Sequence, residues 1–368
     1  MSFLAIKIYR ARLKYTFRPP EKVRSIGFFE TAKVIKPRKV ACFQILMTAE
    51  KVTLEDVYKA WNIVRRYLPK TPLISSPALS KRLGFDAYVK CDNTLPTGSF
   101  KVRGGVNLIS QLSDAEKRRG VIAASTGNHA QSVAYAACLF GAKAIIGMPE
   151  GSNPDKVEAT QCYGAKVEFH GKDYDEARCW VEDEAKRKRY RYIHSANEPL
   201  LIAGVGTLYL EIMKEIPDVD AILVPIGGGS GAAAACIVAK AINPKVKVIG
   251  VQAEKAPAVY LSWKNKRLME TESADTFAEG LATRVAFKLT FDILSKMIDD
   301  IVLVSEEEIK KAILALLETT HQLAEGAGAA STAAAFKMRR QLQGKKVALP
   351  LTGGNLTMKN LSSIFKEL

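Results

Sequence analysis

Lys101 lies in Thr97-Gly98-Ser99-Phe100-Lys101-Val102-Arg103-Gly104-Gly105, between an aromatic residue and a glycine pair. A lysine in that setting has little to do as a surface charge. It suits an amine that must approach a flat cofactor, because lysine amines condense with carbonyls to form Schiff bases. One lysine decides nothing, since most lysines are solvated surface charges. The chemistry also needs a phosphate cradle, a partner for a ring nitrogen and a substrate loop.

Gly227-Gly228-Gly229-Ser230-Gly231 supplies the cradle. It falls between a strand-like and a helix-like run, so backbone N–H groups and a helix N-terminus would converge there. Ser230 adds a hydroxyl donor. A plain tight turn would not need that placement. The sharper rival is a dinucleotide fingerprint. Gly227-x-Gly229-x-x-Ala232 fits its loose pattern, and Glu254 follows about twenty residues on, as a ribose-binding acid would. By spacing alone the rival stands, but it leaves Lys101 and the other loops unexplained. Ser125-Thr126-Gly127-Asn128-His129-Ala130-Gln131 is a second strand-to-helix turn, rich in donors and suited to a carboxylate. Capping by Ser125 or Thr126 needs only one polar residue, and this loop has five in seven. Thr352-Gly353-Gly354-Asn355 closes the last strand with another glycine turn, a weak signal alone.

These loops need a sheet to hold them. Thr53 caps a helix with Glu55 and Asp56 in its first turn and apolar residues at Val57, Trp61, Val64 and Leu68; Pro69 and Pro72 end it. From 120 onward the blocks alternate: strand 120–124, a helix to 140, strand 142–148, helix 155–163, strand 165–170. Strand 221–226, turn 227–231, helix 232–242, strand 246–251 and a last strand 346–351 repeat the theme. Such steps make parallel sheet with helices on both faces. The polar tract 264–274 reads as a surface excursion.

Composition sets limits. The 368 residues are 48% apolar and 25% charged, ordinary for a globular protein and enough for two domains or one large α/β unit. No apolar run reaches transmembrane length. Six cysteines (42, 91, 138, 162, 179, 236) are scattered without a C-x-x-C pair, which fits reduced, mostly buried thiols in a cytoplasmic protein. His129, His170, His194 and His321 form no metal-binding pattern, so no metal site is expected. The net charge is +16, yet residues 1–46 hold eleven Lys or Arg against Glu21 and Glu30, a net of +9. This basic segment reads as a transit peptide, as an arm for RNA or membrane, or as sequence ahead of a true start at Met47. The third reading is favoured, because the regular amphipathic pattern begins just after Met47. The basic cluster 186–191 follows Glu182-Asp183-Glu184 and reads as a solvated helix end, so no nucleic acid or membrane is expected at the core.

Taken together and in this order, the motifs resemble the fold-type II pyridoxal 5'-phosphate (PLP) enzymes, specifically the threonine/serine dehydratase and serine racemase group. The match comprises T-G-S-F-K-x-R-G at 97–104, S-x-G-N-H-x-Q at 125–131, the glycine loop at 227–231, T-F-A-E-G-L-A at 276–282, Glu325 in A-E-G-A-G, and the closing T-G-G-N. It runs from about Thr53 to the C-terminus. The resemblance implies that Lys101 holds PLP as a Schiff base, that Phe100 packs on the ring face and that Asn128 meets the ring hydroxyl. Gly227, Gly228, Gly229, Ser230 and Gly231 would cradle the phosphate. Thr352 would face the pyridine nitrogen, where the group commonly has Ser. Ser125, Thr126, Asn128 and His129 would surround the substrate carboxylate. The freed Lys101 amine would take the Cα proton of L-threonine, the β-hydroxyl would leave, and hydrolysis would give 2-oxobutanoate and ammonia.

Two departures bear on the choice within the group. The racemase pattern places acids for a divalent cation where this chain has Gln252 and Ala258, and a second acid/base Ser where it has Thr126. The expectation is therefore an α/β fold of the tryptophan synthase beta type, with two open, twisted, mostly parallel sheets. A large domain would comprise 47–94 and 196–368, a small one 95–195, with 1–46 a basic extension. The expected activity is L-threonine ammonia-lyase, action on L-serine included, in amino-acid metabolism such as isoleucine biosynthesis. Serine racemase or a threonine synthase-like enzyme is the first alternative, and a dinucleotide-dependent oxidoreductase the second. The chain ends 13 residues after Asn355, so no C-terminal isoleucine-sensing domain is expected. The resemblance also implies a homodimer or homotetramer.

Overall fold

Thr53 opens the first helix, Leu54–Val64, with a full capping box: its hydroxyl accepts from the Asp56 amide and the Asp56 carboxylate accepts from the Thr53 amide. A computed structural model describes residues 52–366. The basic segment 1–46, the start at Met47 and Cys42 lie outside the described residues.

Ten strands follow: β1 (Leu73–Ser75), β2 (Asp86–Cys91), β3 (Val121–Ala124), β4 (Ala144–Met148), β5 (Lys166–Phe169), β6 (Arg191–Tyr192), β7 (Ala221–Pro225), β8 (Lys247–Ala253), β9 (Asp300–Val304) and β10 (Lys346–Leu351). They form a six-stranded sheet in the order β1-β2-β10-β7-β8-β9 and a four-stranded sheet in the order β5-β4-β3-β6. Among the described strand pairs only β1–β2 is antiparallel. A strand covered on both faces must be apolar at every position, and β3 is buried throughout. Alternation then divides the large core. Ile222, Val224, Val248 and Ala348 point into one apolar cluster, while Ala221, Leu223, Ile249, Val347 and Leu349 point into another. The sheets match the expected architecture; most strand limits differ from the sequence reading by one or two residues.

Helix Lys101–Ser110 packs against helices Asn128–Leu139 and Pro199–Glu215. Their approach explains the glycines after Lys101. A Cβ at Gly104 would lie 2.7 Å from Leu201 Cγ, and one at Gly105 would lie 2.5 Å from Ser132 Oγ. A mid-helix glycine costs about 1 kcal/mol relative to alanine; here it admits a neighbouring helix.

A buried charge cluster holds the same helix from behind. The Arg103 guanidinium is wholly buried and donates to both Asp92 oxygens, at 2.7 and 2.9 Å, and to both Glu211 oxygens, at 2.7 and 3.1 Å. Lys90, also buried, reaches Glu211 at 2.8 Å and Glu215 at 2.9 Å. Burial disfavours the guanidinium charge, but Asp92 and then Glu211 outweigh it and raise its pKa.

One expectation needs correcting. Cys91 and Cys236 are buried, but Cys138 and Cys162 are exposed and Cys179 is intermediate, so the thiols are not mostly buried. Cys138 faces solvent near the end of its helix, and Cys162 is the C-cap of helix Pro154–Gln161. The cluster 186–191 ends helix Tyr174–Lys188; Arg187 pairs with Glu184 and Arg191 with Glu198, the charge offset expected. The tract 264–274 is mostly exposed.

Candidate active site

The T-G-S-F-K run and the last strand's exit lie side by side. Ser99 bridges Gly353, the Phe100 amide donates to the Thr352 carbonyl at 2.9 Å, and the Gly354 amide donates to the Gly98 carbonyl at 2.9 Å. Gly98 sits at φ 65°, backbone that favours glycine. This pairing places Lys101 at the first position of its helix. Its Nζ donates to Ser230 Oγ at 2.9 Å and to the Ser195 carbonyl at 3.4 Å. Burial lowers the amine's pKa to about 8. From the far side, Ser132 Oγ donates to the Lys101 carbonyl at 2.7 Å.

The glycine loop is a turn only as far as Gly229; the helix starts at Ser230, two residues earlier than the spacing implied, and runs to Ile242. Gly229 adopts φ 93°, and a Cβ at Gly227 would meet the Gly280 carbonyl at 2.0 Å. Thr290 Oγ1 donates to the Gly228 carbonyl at 2.8 Å. The amides of 227–232 donate to no acceptor among the described residues. The result is a cradle of free N–H groups at a helix N-terminus. Phe100 lies against Gly231, 3.4 Å from its would-be Cβ, with the Tyr209 hydroxyl 3.3 Å from the same point.

A second helix N-terminus begins at Asn128. Ser125 Oγ accepts from the Gly127 amide, while the amides of 128–130 donate to nothing among the described residues. Ser125, Thr126 and Asn128 are partly buried. His129 is buried, and its Nε2 meets the Ile193 carbonyl at 3.1 Å. A carbonyl only accepts, so that nitrogen carries the ring proton and Nδ1 is the bare one. Burial, and then the nearby Lys101 charge, lower the His129 pKa to about 3. His129 can therefore offer an anion its backbone amide, not its ring proton. Thr352 is buried.

The family follows from this geometry and from comparison. The chain matches the model for pyridoxal-phosphate dependent enzymes over residues 64–353. The chain belongs to that family. An L-threonine ammonia-lyase from Thermotoga maritima is 41% identical over 316 residues, covering 86% of this chain and 79% of that one. A catabolic L-threonine dehydratase from Staphylococcus aureus is 38% identical over 326 residues, covering 88% and 94%. Among solved structures, the processed form of threonine deaminase isoform 2 from Solanum lycopersicum superposes with a TM-score of 0.80 at 29% identity, covering 86% and 95%. Maize serine racemase superposes with a TM-score of 0.82 at 28% identity, covering 86% and 98%.

The family's cofactor is PLP, and the residues present fit it. An anion cradle that a Cβ would fill stands beside a half-buried amine whose reach ends on the cradle's own serine. The dinucleotide rival fails: Glu254, its ribose acid, is exposed and pairs with Lys337. Gln252 at the position of a racemase acid is buried, and its Oε1 accepts from the Tyr260 amide at 2.9 Å.

Sequence reasoning missed the wall beside the cradle, where a Cβ at Gly228 would lie 3.0 Å from Ala196 Cβ and 3.3 Å from Phe287. His194 Nδ1 accepts from the Ala196 and Asn197 amides, each at 3.0 Å, and its ring meets Phe287 edge-on at 4.8 Å. Burial lowers its pKa to about 4. Ser195 between them supplies the carbonyl under Lys101. The available signal was weak: a lone histidine just after a two-residue strand.

Proposed function

We propose that this PLP enzyme is an L-threonine ammonia-lyase, converting L-threonine to 2-oxobutanoate and ammonia, and L-serine to pyruvate. The supporting observation is the Lys101 amine, partly neutral near physiological pH, set at the mouth of an anion cradle in a chain that shares 37–41% identity with threonine ammonia-lyases and dehydratases.

When bound, the cofactor supplies an electron sink for the substrate's Cα–H bond. The chain's residues do the rest. Gly227, Gly228, Gly229, Ser230 and Gly231 bind the phosphate through free amides. Phe100 backs the ring, and Asn128 donates to its hydroxyl. Ser125, Thr126, Asn128 and His129 hold the substrate carboxylate at the second helix N-terminus, His129 through its amide. Lys101 Nζ, oriented by Ser230 Oγ, takes the Cα proton; a neutral amine is required, and burial provides it. Thr352 presents a hydroxyl to the ring nitrogen. The cleft divides a small domain over 95–195 from a large one over 47–94 and 196–368. We expect a homodimer or homotetramer located in the cytoplasm, a placement consistent with the described residues, none of whose helices is long and apolar enough to cross a membrane.

The PLP-loaded protein is incubated with L-threonine and 2-oxobutanoate is measured, with Lys101→Ala alongside. Product from the unaltered protein alone supports the reading. Bound cofactor with no product rejects it and turns attention to racemisation, the activity for which the maize structure is named; formation of D-serine from L-serine is the assay.

A further inference from the structure

Asn128 is gripped from two sides. Asn355 Nδ2 donates to Asn128 Oδ1 at 2.7 Å and to the Thr97 carbonyl at 2.9 Å. Asn128 Nδ2 donates to Glu325 Oε1 at 2.6 Å. A primary amide has one acceptor oxygen and two N–H donors. With the oxygen engaged by Asn355 and one hydrogen held by Glu325, Asn128 keeps a single N–H to offer.

The surroundings are built for this contact. Glu325 is the N-cap residue of helix Gly326–Lys337, and its amide donates to the Gly353 carbonyl at 3.0 Å. A Cβ at Gly353 would stand 2.4 Å from Glu325 Oε1 and 3.2 Å from Asn128 Nδ2. Any side chain there would break the bond, so the second glycine of the T-G-G-N turn makes room for it.

We propose that Glu325 is a positioning residue that acts through Asn128: its carboxylate selects which atom of the Asn128 amide meets the bound cofactor and sets a titratable negative charge one side chain away. The inference rests on the cofactor role given to Asn128 above. Burial raises the Glu325 carboxyl to about 7; the Asn128 bond and then Lys156 oppose the rise, and Glu279 adds to it. Lys156, on helix Pro154–Gln161, and Glu279, in the turn Glu279–Leu281, are the charged groups facing it, and they pair with each other. The 352–355 turn contributes no ionisable side chain. Below neutral pH Glu325 is protonated and its bond to Asn128 is an ordinary one. Above neutral pH the bond is charge-assisted and stronger.

The test is the visible absorbance of the PLP-loaded protein, followed across neutral pH in the unaltered chain and in Glu325→Gln. Glutamine keeps the shape and an acceptor oxygen and removes the charge. The unaltered band is expected to change with a midpoint near 7, and Glu325→Gln to lose that inflection while still binding PLP with an unchanged melting temperature. An inflection that survives intact in Glu325→Gln overturns the proposal. So does a flat titration of the unaltered protein, which needs no variant and decides the matter if Glu325→Gln fails to load cofactor. Neither readout uses 2-oxobutanoate, so failure of the ammonia-lyase reading appears separately, as a normal band without product.

Discussion

A lysine serves as a base only while part of its population is neutral. Burial brings Lys101 to about 8, so the neutral form grows as pH rises through that value. A kcat profile should climb from neutral pH with a midpoint near 8; a profile flat over that range would remove Lys101 as the base whose titration is seen. Thr352 carries the second prediction at this scale. In the role proposed for it, a hydroxyl cannot hold a proton on a pyridine nitrogen as a carboxylate would, so the ring would stay a weaker electron sink and β-elimination would be favoured over transamination. Thr352→Asp should raise the amino form of the cofactor at the expense of 2-oxobutanoate, and absorbance after single turnovers would detect it. Unchanged partitioning would count against this role. Lys101, the glycine loop and Asn128 were legible because each belongs to a local run whose chemistry is apparent without neighbours. His194 was not, because only the fold brings it to Lys101.

Elements hold these residues through two devices, close packing and a buried charge cluster. Replacing Arg103 with Met strips Asp92 of its cation and leaves Glu211 to Lys90 alone, and breaking a buried pair typically costs about 3–5 kcal/mol. Denaturant melts of Arg103→Met should show a loss of that order, and a change within error would mean the cluster is dispensable. Glu211 gives the cluster a pH signature. Burial raises its pKa, but Arg103 and Lys90 outweigh burial and the net shift is downward. A carboxylate with a lowered folded pKa contributes stability above its unfolded value, lost as pH falls through the folded one. The stability gap between the unaltered protein and Glu211→Gln should therefore shrink in acid. At the glycine loop, Gly227→Ala sets a Cβ 2.0 Å from a backbone oxygen that must then move. Cofactor affinity should fall at least tenfold, about 1.4 kcal/mol, as measured by reconstitution of the apoprotein. The glycines were visible in the sequence; Arg103's partners were not, being 11 and 108 residues away.

At the scale of the whole molecule, two ion pairs tie helices beside the small sheet to the segment after β8. Lys156 meets Glu279, and Asp175 meets Arg284. In the proposed two-domain arrangement both pairs cross the cleft, so Lys156→Met should raise KM for L-threonine more than it lowers kcat. By itself the sequence determined the fold class and six of the ten described strands, missing β1, β2, β6 and β9, and it pointed to Lys101 and to the loops that end strands β3, β7 and β10. Local periodicity and turn chemistry act within a few residues, and those features need nothing more. Only the tertiary structure decided that Glu325 grips Asn128, that His129 spends its ring proton on Ile193, and that Arg103 is clamped by Asp92 and Glu211. Those are contacts between segments distant in the chain, set by how parallel strands stack and helices pack rather than by any neighbouring residue.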